Sequence, residues 1–413
     1  MKLDLTDLIY ALSFALDKVE YELLGIETGH GRRVACLCLF MAEHAGISGE
    51  ELRDYIGCCV LHDNALTEFI HEELDSVKRI TGEAEQQLSD SINIDSVKND
   101  SSHCKIGEQN IHLIPFRTNV DNIILYHHEH ADGSGPLGKT AAETGLKTQI
   151  LHLADEIDLH YKLSSLTESE FNRISEWVQS QSGKMFSEKA VQLFQEAVTY
   201  DKILYLKNRG AFTSLKRELR TVTSDYSDEE IHDFAKMFAN IIDYKSEFTQ
   251  THSLGVADKA EQMANYYGFD HEKCTRFYLA GALHDIGKLL VSNDILEKPG
   301  KLTDDEFAVM KDHASATHYV LRLVKGIPDV VKWASNHHEK LNGKGYPRGL
   351  TAEELSLEER LMACVDIYQA LTEQRPYKDG IPHEKAIAIM QDMVDKGEID
   401  ATIVQDMAIV MAK

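Results

Sequence analysis

Seven residues in the C-terminal half of the chain are histidines and aspartates, the types that bind first-row divalent metals. They are, in order, His252, His284, Asp285, His313, His337, His338 and Asp366. The adjacent pair His284-Asp285 places a carboxylate, whose two oxygens can bridge two ions, beside an imidazole. Seven ligands are too many for one catalytic ion that keeps an open position. They suit two ions about 3.5–4 Å apart, which together activate a water and hold the oxygens of a phosphoryl group.

Cationic side chains near this set have the chemistry of a phosphate site. Lys288 follows Asp285 by three residues, so on a helix it projects from about the same face as the ligands. A cation in that position would stabilise the charge of a transition state. Arg375 and Lys378 follow Asp366 and are candidate phosphate-binding residues, since the planar arginine fork suits phosphate.

The loop "HHEKLNGKGYP" at 337–347 is the third feature of the candidate site. Gly343 and Gly345 permit a tight backbone. Tyr346 offers a ring that stacks on a base and a hydroxyl that orders the mouth of the site. These three residues are therefore predicted to bind substrate.

The same phrases occur a second time, in the same order, in the N-terminal half. "GALHDIGK" at 281–288 matches "CVLHDNAL" at 59–66, and the loop at 337–347 matches "HHEHADGSGP" at 127–136. "DHASATHYVL" at 312–321 matches the weaker "SHCKIGEQNI" at 102–111. An internal repeat of this length predicts two homologous domains. The candidates for a second metal site in the N-terminal copy are His30, His62, Asp63, His103, His127, His128 and Asp155.

The N-terminal copy lacks the cations that accompany the C-terminal ligands. Leu66 stands at the position of Lys288, and the loop has lost its tyrosine. Ser164 and Thr167 stand at the positions of the two downstream cations. A copy without phosphate-binding cations is predicted to be a poor catalyst of phosphoryl chemistry. Two interpretations stay open: a regulatory or dimer-forming domain that binds metal, and a decayed duplicate kept for its packing.

Apolar residues at three- and four-residue spacing predict a mostly helical protein. Helical patterning covers 5–26, 30–46, 51–63, 65–80, 119–131 and 145–162, whereas the polar stretch 81–110 predicts a loop or a poorly ordered insert. The fold class is therefore all-α, with two tandem helical bundles. The predicted boundaries are an N-terminal domain over 1–165, a helical connecting region over 166–225 and a catalytic domain over 226–413.

Composition excludes several classes of protein. The net charge of −25 over 413 residues argues against binding a nucleic-acid polymer. The seven cysteines form no CxxC pair, which favours buried thiols in a reducing compartment. The longest apolar run, "VACLCLFMA", is far shorter than the roughly 20 residues that span a bilayer. The chain is therefore predicted to be cytoplasmic and not to contact membranes.

The combined motif "THS…HDIGK…H…HHEKLNGKGYP…VDIYQALTEQRPYK" resembles the HD-GYP family of metal-dependent phosphohydrolases, closely over about 230–380. The resemblance implies HD-type helical bundles, two or three ions, usually iron or manganese, and hydrolysis of cyclic di-GMP to linear pGpG and sometimes GMP. It also implies that the seven C-terminal residues are metal ligands, that Lys288 assists at the scissile phosphate, and that Arg375 and Lys378 hold substrate phosphates. Members with three ions carry a glutamate four residues before the first ligand histidine. Phe248 occupies that position and Glu247 is one residue out of register, which favours two ions.

Two alternatives to a cyclic di-GMP phosphodiesterase stay open. The substrate of some tandem members of the family is 3′3′-cyclic GMP-AMP, and the residues do not decide the base. The other alternative is a receptor that binds a cyclic dinucleotide without hydrolysing it, against which the complete ligand set and Lys288 argue. A homodimer, or a signalling protein bound through the N-terminal domain, is left open as a partner.

Overall fold

A computed structural model describes residues 1–70, 97–98, 100–219, 222–245, 251–298, 300–374 and 380–412. Over these ranges the secondary-structure elements are helices, apart from isolated bridges and one short antiparallel pairing, in which β1 (Lys2–Leu3) lies beside β2 (Ser224–Asp225). The all-α prediction is confirmed.

The helices fall into two groups along the chain. The first group is α1 (Leu5–Leu24), α2 (His30–His44), α3 (Gly49–Val60), α4 (Ser102–Ile111), α5 (Leu146–His160), α6 (Glu168–Ser180), α7 (Glu188–Ala197), α8 (Tyr200–Arg209) and α9 (Ala211–Glu218). The second is α10 (Asp228–Asp243), α11 (His252–Tyr266), α12 (His271–Leu283), a 3-10 helix (Ile286–Leu290), α13 (Asn293–Leu296), α14 (Asp304–Leu321), α15 (Pro328–Ser335), α16 (Leu357–Thr372), α17 (His383–Asp395) and α18 (Ala401–Val410).

These helices form two compact units whose boundaries differ from the predicted ones. The C-terminal unit comprises 1–15 and 223–413, and the N-terminal unit comprises 16–222. The first residues belong to the C-terminal unit because β1 pairs with β2 and the amino group of Met1 donates to the Tyr226 carbonyl at 2.7 Å. The predicted connecting region is not a separate body, because α7 and α9 pack against α2 within the N-terminal unit.

Serine and threonine caps set where several helices begin. Ser227 caps α10 through a reciprocal capping box with Glu230, which satisfies two amide donors at the helix start. The acidic stretch "TSDYSDEE" at 223–230 therefore contains the start of α10. Boxes of the same kind open α6, α14 and α16.

A glycine in each unit lets two ligand-bearing helices approach closely. A Cβ on Gly281 in α12 would lie 2.7 Å from the Cα of Ala257 in α11. A Cβ on Gly31 in α2 would lie 2.7 Å from the Val60 carbonyl oxygen at the end of α3. No larger residue fits either crossing without a backbone shift. Each crossing brings the first ligand histidine near the His-Asp pair.

Two local predictions in the N-terminal half are wrong. The described part of 81–110, the stretch predicted as a loop or a poorly ordered insert, contains the start of α4, while 81–96 and 99 lie outside the described residues. The stretch 119–131, predicted as helical, consists mainly of turns. The turns form because the buried Glu108 carboxylate accepts the backbone N–H of Ile124 at 3.1 Å and of Leu125 at 2.9 Å. Donors satisfied by a side chain do not form helical bonds to the backbone.

All seven cysteines are buried and form no disulfide, as the composition predicts. Every helix within the described ranges is too short or too polar to cross a membrane.

Candidate metal centres

Five helices bring the predicted ligands of the C-terminal unit to one place. His252 is the first residue of α11, His284 and Asp285 follow α12, and His313 lies within α14. The remaining three are His337 and His338 in the turn after α15, and Asp366 in α16. Six of the seven are buried, and His338 is half-buried.

Backbone carbonyls orient three of these imidazoles. The Nδ1 atoms of His284, His313 and His337 lie 2.7, 2.6 and 2.6 Å, respectively, from the carbonyl oxygen three residues earlier. A hydrogen bond from Nδ1–H to a carbonyl fixes the ring and leaves the Nε2 lone pair available to a metal ion, which is how metal-binding histidines are commonly held.

The two oxygens of Asp285 face two different groups of histidines. Oδ2 lies 3.1 Å from His284 Nε2 and 3.8 Å from His252 Nε2. Oδ1 lies 3.5 Å from His313 Nε2 and 3.8 Å from His337 Nε2. This arrangement is that of a carboxylate able to bridge two ions.

The other ligands complete two groups of donors, one on each side of Asp285. One donor atom from each of His252, His284 and Asp366 lies within 4.8 Å of the others, and the same holds for His313, His337 and His338. His284 Nε2 and Asp285 Oδ1 are buried without a hydrogen-bond partner. Buried polar atoms are normally satisfied, so these orphaned atoms fit missing cations. The residues present therefore suit a pair of divalent ions.

Lys288 adds a cation beside the bridging carboxylate. It lies in the 3-10 helix, with Nζ 2.5 Å from Asp285 Oδ2. Burial disfavours the ammonium, but the carboxylates of Asp285, Asp366 and Asp243 together outweigh it and raise the pKa of Lys288. The side chain is therefore charged at neutral pH.

The loop at 337–347, called the GYP loop below, brings an aromatic ring to the same centre. The half-buried Tyr346 ring lies 4.7 Å from the His338 ring, measured between centroids. Gly343 has a φ of 73°, which favours glycine, and a Cβ on Gly345 would lie 2.3 Å from the Lys340 nitrogen. Arg375 and Lys378 lie outside the described residues, as do Glu247 and Phe248.

Glu339, which the sequence analysis did not single out, organises this loop. Its buried carboxylate accepts the backbone N–H groups of Arg348 at 2.6 Å, Gly349 at 3.2 Å and Leu350 at 2.9 Å. Glu129 does the same in the N-terminal unit, accepting from Leu137 at 2.6 Å and from Lys139. The repeated "HHE" in the two halves of the sequence was the signal that could have identified these two glutamates.

Glu339→Ala is expected to lower the free energy of unfolding of the C-terminal unit by about 2–4 kcal/mol, because it leaves three amide donors without their acceptor. The chain has two tryptophans, and Trp333 alone lies in the C-terminal unit. Urea unfolding followed by fluorescence in a Trp177→Phe background therefore measures this unit. The control is Glu353→Ala, at an exposed position in the same segment. Equal losses in the two variants would contradict the prediction.

The N-terminal unit repeats the arrangement with its own ligands. His30 begins α2, His62 and Asp63 follow α3, His103 lies in α4, His127 and His128 lie in the turns, and Asp155 lies in α5. Asp63 again faces two sides, with Oδ2 3.4 Å from His62 Nε2 and Oδ1 3.7 Å from His127 Nε2. Asp155 Oδ1 lies 3.1 Å from His30 Nε2, the counterpart of the contact between Asp366 and His252.

Orphaned donors are more numerous in this second centre. The buried atoms without a hydrogen-bond partner are Nε2 of His30, His62 and His127, Nδ1 of His128 and both carboxylate oxygens of Asp155. Two of these atoms, His30 Nε2 and Asp155 Oδ1, also lie 3.1 Å apart as an ion pair. Buried polar atoms are normally satisfied, so the gathering of these atoms in one place indicates a ligand there. The donor set therefore fits divalent cations as well as its C-terminal counterpart does.

Carboxylates behind the first histidine of each unit were also missed. Glu373 Oε2 lies 2.9 Å from His252 Nδ1, and Asp158 Oδ2 lies 2.8 Å from His30 Nδ1. A carboxylate there fixes the imidazole tautomer and increases its basicity. The two carboxylates stand at different offsets from the ligand aspartate, so matching the repeats did not reveal them.

In the N-terminal unit a lysine lies near the centre, but not at the sequence position that matches Lys288. Leu66 lies in a buried apolar cluster with Phe69, Ile70 and Val97. Next to Val97, Lys98 places Nζ 2.5 Å from Glu156 Oε1. Burial opposes its charge, but Asp155 and Glu156 together raise the pKa of Lys98. The unit therefore has a lysine near its centre, held by another segment of the chain.

The comparisons with known proteins agree with this architecture. Residues 236–403 match the family model described as HD domain. The chain is 29% identical over 411 residues to 3′3′-cGAMP-specific phosphodiesterase 1 of Vibrio cholerae, covering 97% of this chain and 90% of that protein. It is 33% identical over 213 residues to a cyclic di-GMP phosphodiesterase of Pseudomonas aeruginosa, covering 48% of this chain and 51% of the relative.

A solved structure shares the fold over the whole chain. The crystal structure of a cyclic GMP-AMP-specific phosphodiesterase from Vibrio cholerae aligns with a TM-score of 0.66 at 23% identity. The alignment covers 100% of this chain and 98% of the solved one.

Proposed function

We propose, from the premise that this chain belongs to the HD-GYP family of HD-domain cyclic dinucleotide phosphodiesterases, that its C-terminal unit carries the activity and hydrolyses 3′3′-cyclic GMP-AMP. The observation that carries the proposal is the bridging position of Asp285 between two histidine groups, with Lys288 beside it.

The choice of substrate rests on how much of the chain each relative matches. One cGAMP-specific relative matches 97% of the chain, including both units, and two others match 64% and 51%. The cyclic di-GMP phosphodiesterases match 27–48% of it. The relative that matches both units is named cGAMP-specific, which supports cyclic GMP-AMP as the substrate and leaves cyclic di-GMP as the second candidate.

In the proposed reaction, water adds across one P–O3′ bond, leaving the phosphate on the 5′ oxygen and a free 3′ hydroxyl. Two bound ions, of iron or manganese by the family resemblance, would supply the activated water and the clamp on the phosphate oxygens. One ion would be held by His252, His284 and Asp366, and the other by His313, His337 and His338. Asp285 would contribute to both sites. Lys288 would oppose the negative charge that develops on the phosphate.

Recognition of the bases is proposed for the GYP loop. Tyr346 offers a ring face near the metal centre, with Gly343 and Gly345 shaping the backbone that carries it. Stacking on an aromatic ring does not distinguish bases well. Arg375 and Lys378 remain predicted phosphate-binding residues.

The test is a chromatographic product assay with the full chain, loaded anaerobically with Fe(II) or Mn(II). It receives 3′3′-cyclic GMP-AMP and cyclic di-GMP in separate reactions. We expect a linear dinucleotide from both, formed faster from cyclic GMP-AMP. A faster reaction with cyclic di-GMP would overturn the substrate choice. Two intact substrates, with metal confirmed in the protein, would overturn the activity and favour a receptor.

We also propose that the N-terminal unit binds a pair of metal ions, supported by its six orphaned donor atoms. Since His62 is one of those donors, His62→Ala is expected to reduce the metal content from about four to about three ions per chain or fewer, because it removes a ligand from at least one ion of the pair. Elemental analysis after dialysis measures this content. His44→Ala, at an exposed histidine of the same unit, is the control. An unchanged content in His62→Ala would show that the unit is a packing domain.

A cytoplasmic location remains a prediction, supported by seven buried free thiols. A homodimer or a signalling-protein partner through the N-terminal unit remains a prediction as well.

A further inference from the structure

We propose that Cys104 binds metal through its sulfur in the N-terminal unit, so that this centre favours zinc over manganese more strongly than the C-terminal centre does. The inference rests on the proposed metal pair of the N-terminal unit and adds a ligand to it. It concerns a thiol that neither the sequence repeat nor the family resemblance assigns.

Cys104 follows His103 in α4 and is 1% exposed. Its Sγ lies 3.3 Å from His103 Nε2 and 3.6 Å from His127 Nδ1. One donor atom from each of His103, Cys104, His127 and His128 lies within 4.8 Å of the other three. The four residues therefore form one cluster, with room for a shared ion among donors of zinc-binding type.

Two histidines of this cluster also face the proposed metal pair. His127 Nε2 and His128 Nδ1 are buried without a hydrogen-bond partner and lie 3.7 Å from Asp63 Oδ1 and 3.8 Å from Asp155 Oδ2, respectively. Ring nitrogens that are buried and unsatisfied are rare in folded proteins unless a metal or water occupies the site. The thiol contacts His127 at its other nitrogen, Nδ1, which also lies 2.6 Å from the Ile124 carbonyl oxygen, so it is the contact with His103 Nε2 that places the sulfur beside a ligand atom of the centre.

The C-terminal centre has no thiol at the matching position. Ala314 follows His313 in α14, just as Cys104 follows His103 in α4. Both units supply histidines and carboxylates, which suit iron, manganese and zinc alike. A thiolate is a soft ligand that favours zinc over manganese. One residue therefore gives the two centres different preferences.

Binding of the sulfur releases one proton. The S–H bond of Cys104 breaks, the proton passes to solvent, and the sulfur electron pair forms the bond to the metal. The metal keeps its oxidation state.

Cobalt(II) reports the sulfur directly, since a thiolate bound to cobalt absorbs in the near ultraviolet by charge transfer, whereas nitrogen and oxygen ligands do not. The full chain is stripped with a chelator and reloaded anaerobically with cobalt(II). We expect the absorption in the wild type and its loss in Cys104→Ala, which reproduces the residue of the C-terminal copy. Cys58→Ala, another buried cysteine of the same unit, is the control and should retain the absorption.

A second measurement covers the case in which Cys104→Ala folds poorly. Cys104→Ser keeps the size of the side chain and removes the soft donor. This variant and the wild type are dialysed against equal concentrations of zinc and manganese. The variant should retain zinc in the N-terminal unit at least about tenfold less well than the wild type, because loss of even a residue that only supports a metal ligand lowers metal affinity by about 10- to 100-fold.

The outcomes separate the inference from its premise. If cobalt binds in the N-terminal unit, as judged by the loss of cobalt in His62→Ala, but no charge-transfer absorption appears, the sulfur assignment is overturned and the metal pair stands. If His62→Ala leaves the cobalt content unchanged, both are overturned. Product formation by the C-terminal unit is judged separately and does not depend on either result.

Discussion

Replacing Asp285 with asparagine is expected to lower kcat/KM at least about 1,000-fold, since the ions it would bridge supply several kcal/mol and each 1.36 kcal/mol is tenfold in rate. The two oxygens of Asp285 face His284 on one side and His313 on the other. An amide keeps the shape of the side chain but loses one oxygen and the charge. Both ions of the C-terminal unit are therefore expected to be lost together.

The measurement combines the product assay with elemental analysis of the same sample. Asp294→Asn, at an exposed position in α13, removes an equal charge outside the centre and should keep both activity and metal. Loss of activity with the full metal content would assign Asp285 to proton transfer instead. Full activity would overturn the proposed centre.

The ligand residues could be predicted from sequence because chemistry and order both constrain them. Histidine and aspartate are the side chains that hold such ions, and a repeat in the same order makes chance matches rare. The structure places all seven C-terminal residues together, with Asp285 in the middle. Spacing alone did not indicate that its two oxygens face different histidine groups.

The turns around His127 could not be predicted from apolar spacing. Their backbone donors bond to Glu108, a residue of α4 distant in sequence, and no local pattern encodes that contact. The boundary between units was missed for the same reason. The first residues join the C-terminal unit through strand pairing over more than 200 residues of chain.

Position matching also gave an incomplete description of the N-terminal copy. It identified Leu66 at the place of Lys288 and predicted a copy without a cation. Lys98 lies beside Glu156 and close enough to Asp155 to interact with it electrostatically, although it is not at the position that the repeat pairs with Lys288. A cation can therefore lie near the second centre at a position that matching the repeats does not reveal.

Lys288→Met is expected to reduce kcat by about 100- to 1,000-fold, the effect of removing one preorganised group that stabilises transition-state charge. Methionine keeps the unbranched stem and removes the ammonium. Lys288 is not among the proposed metal ligands, so both ions should remain. Its Nζ lies 2.5 Å from Asp285 Oδ2, which offers a rival role as a counter-ion of the bridging carboxylate.

The two roles of Lys288 predict different kinetics. A cation that acts on the phosphate in the transition state changes kcat, whereas a counter-ion of Asp285 changes the metal concentration needed for half-maximal activity. Titrating Mn(II) against Lys288→Met and measuring kcat at saturation separates them. Lys288→Arg, which keeps the charge, should recover part of kcat, and Lys273→Met removes a lysine that pairs with Glu358 away from the centre. If Lys288→Met regains the wild-type kcat at high metal concentration, Lys288 acts only as a counter-ion of Asp285. The ions alone would then stabilise the transition-state charge on the phosphate.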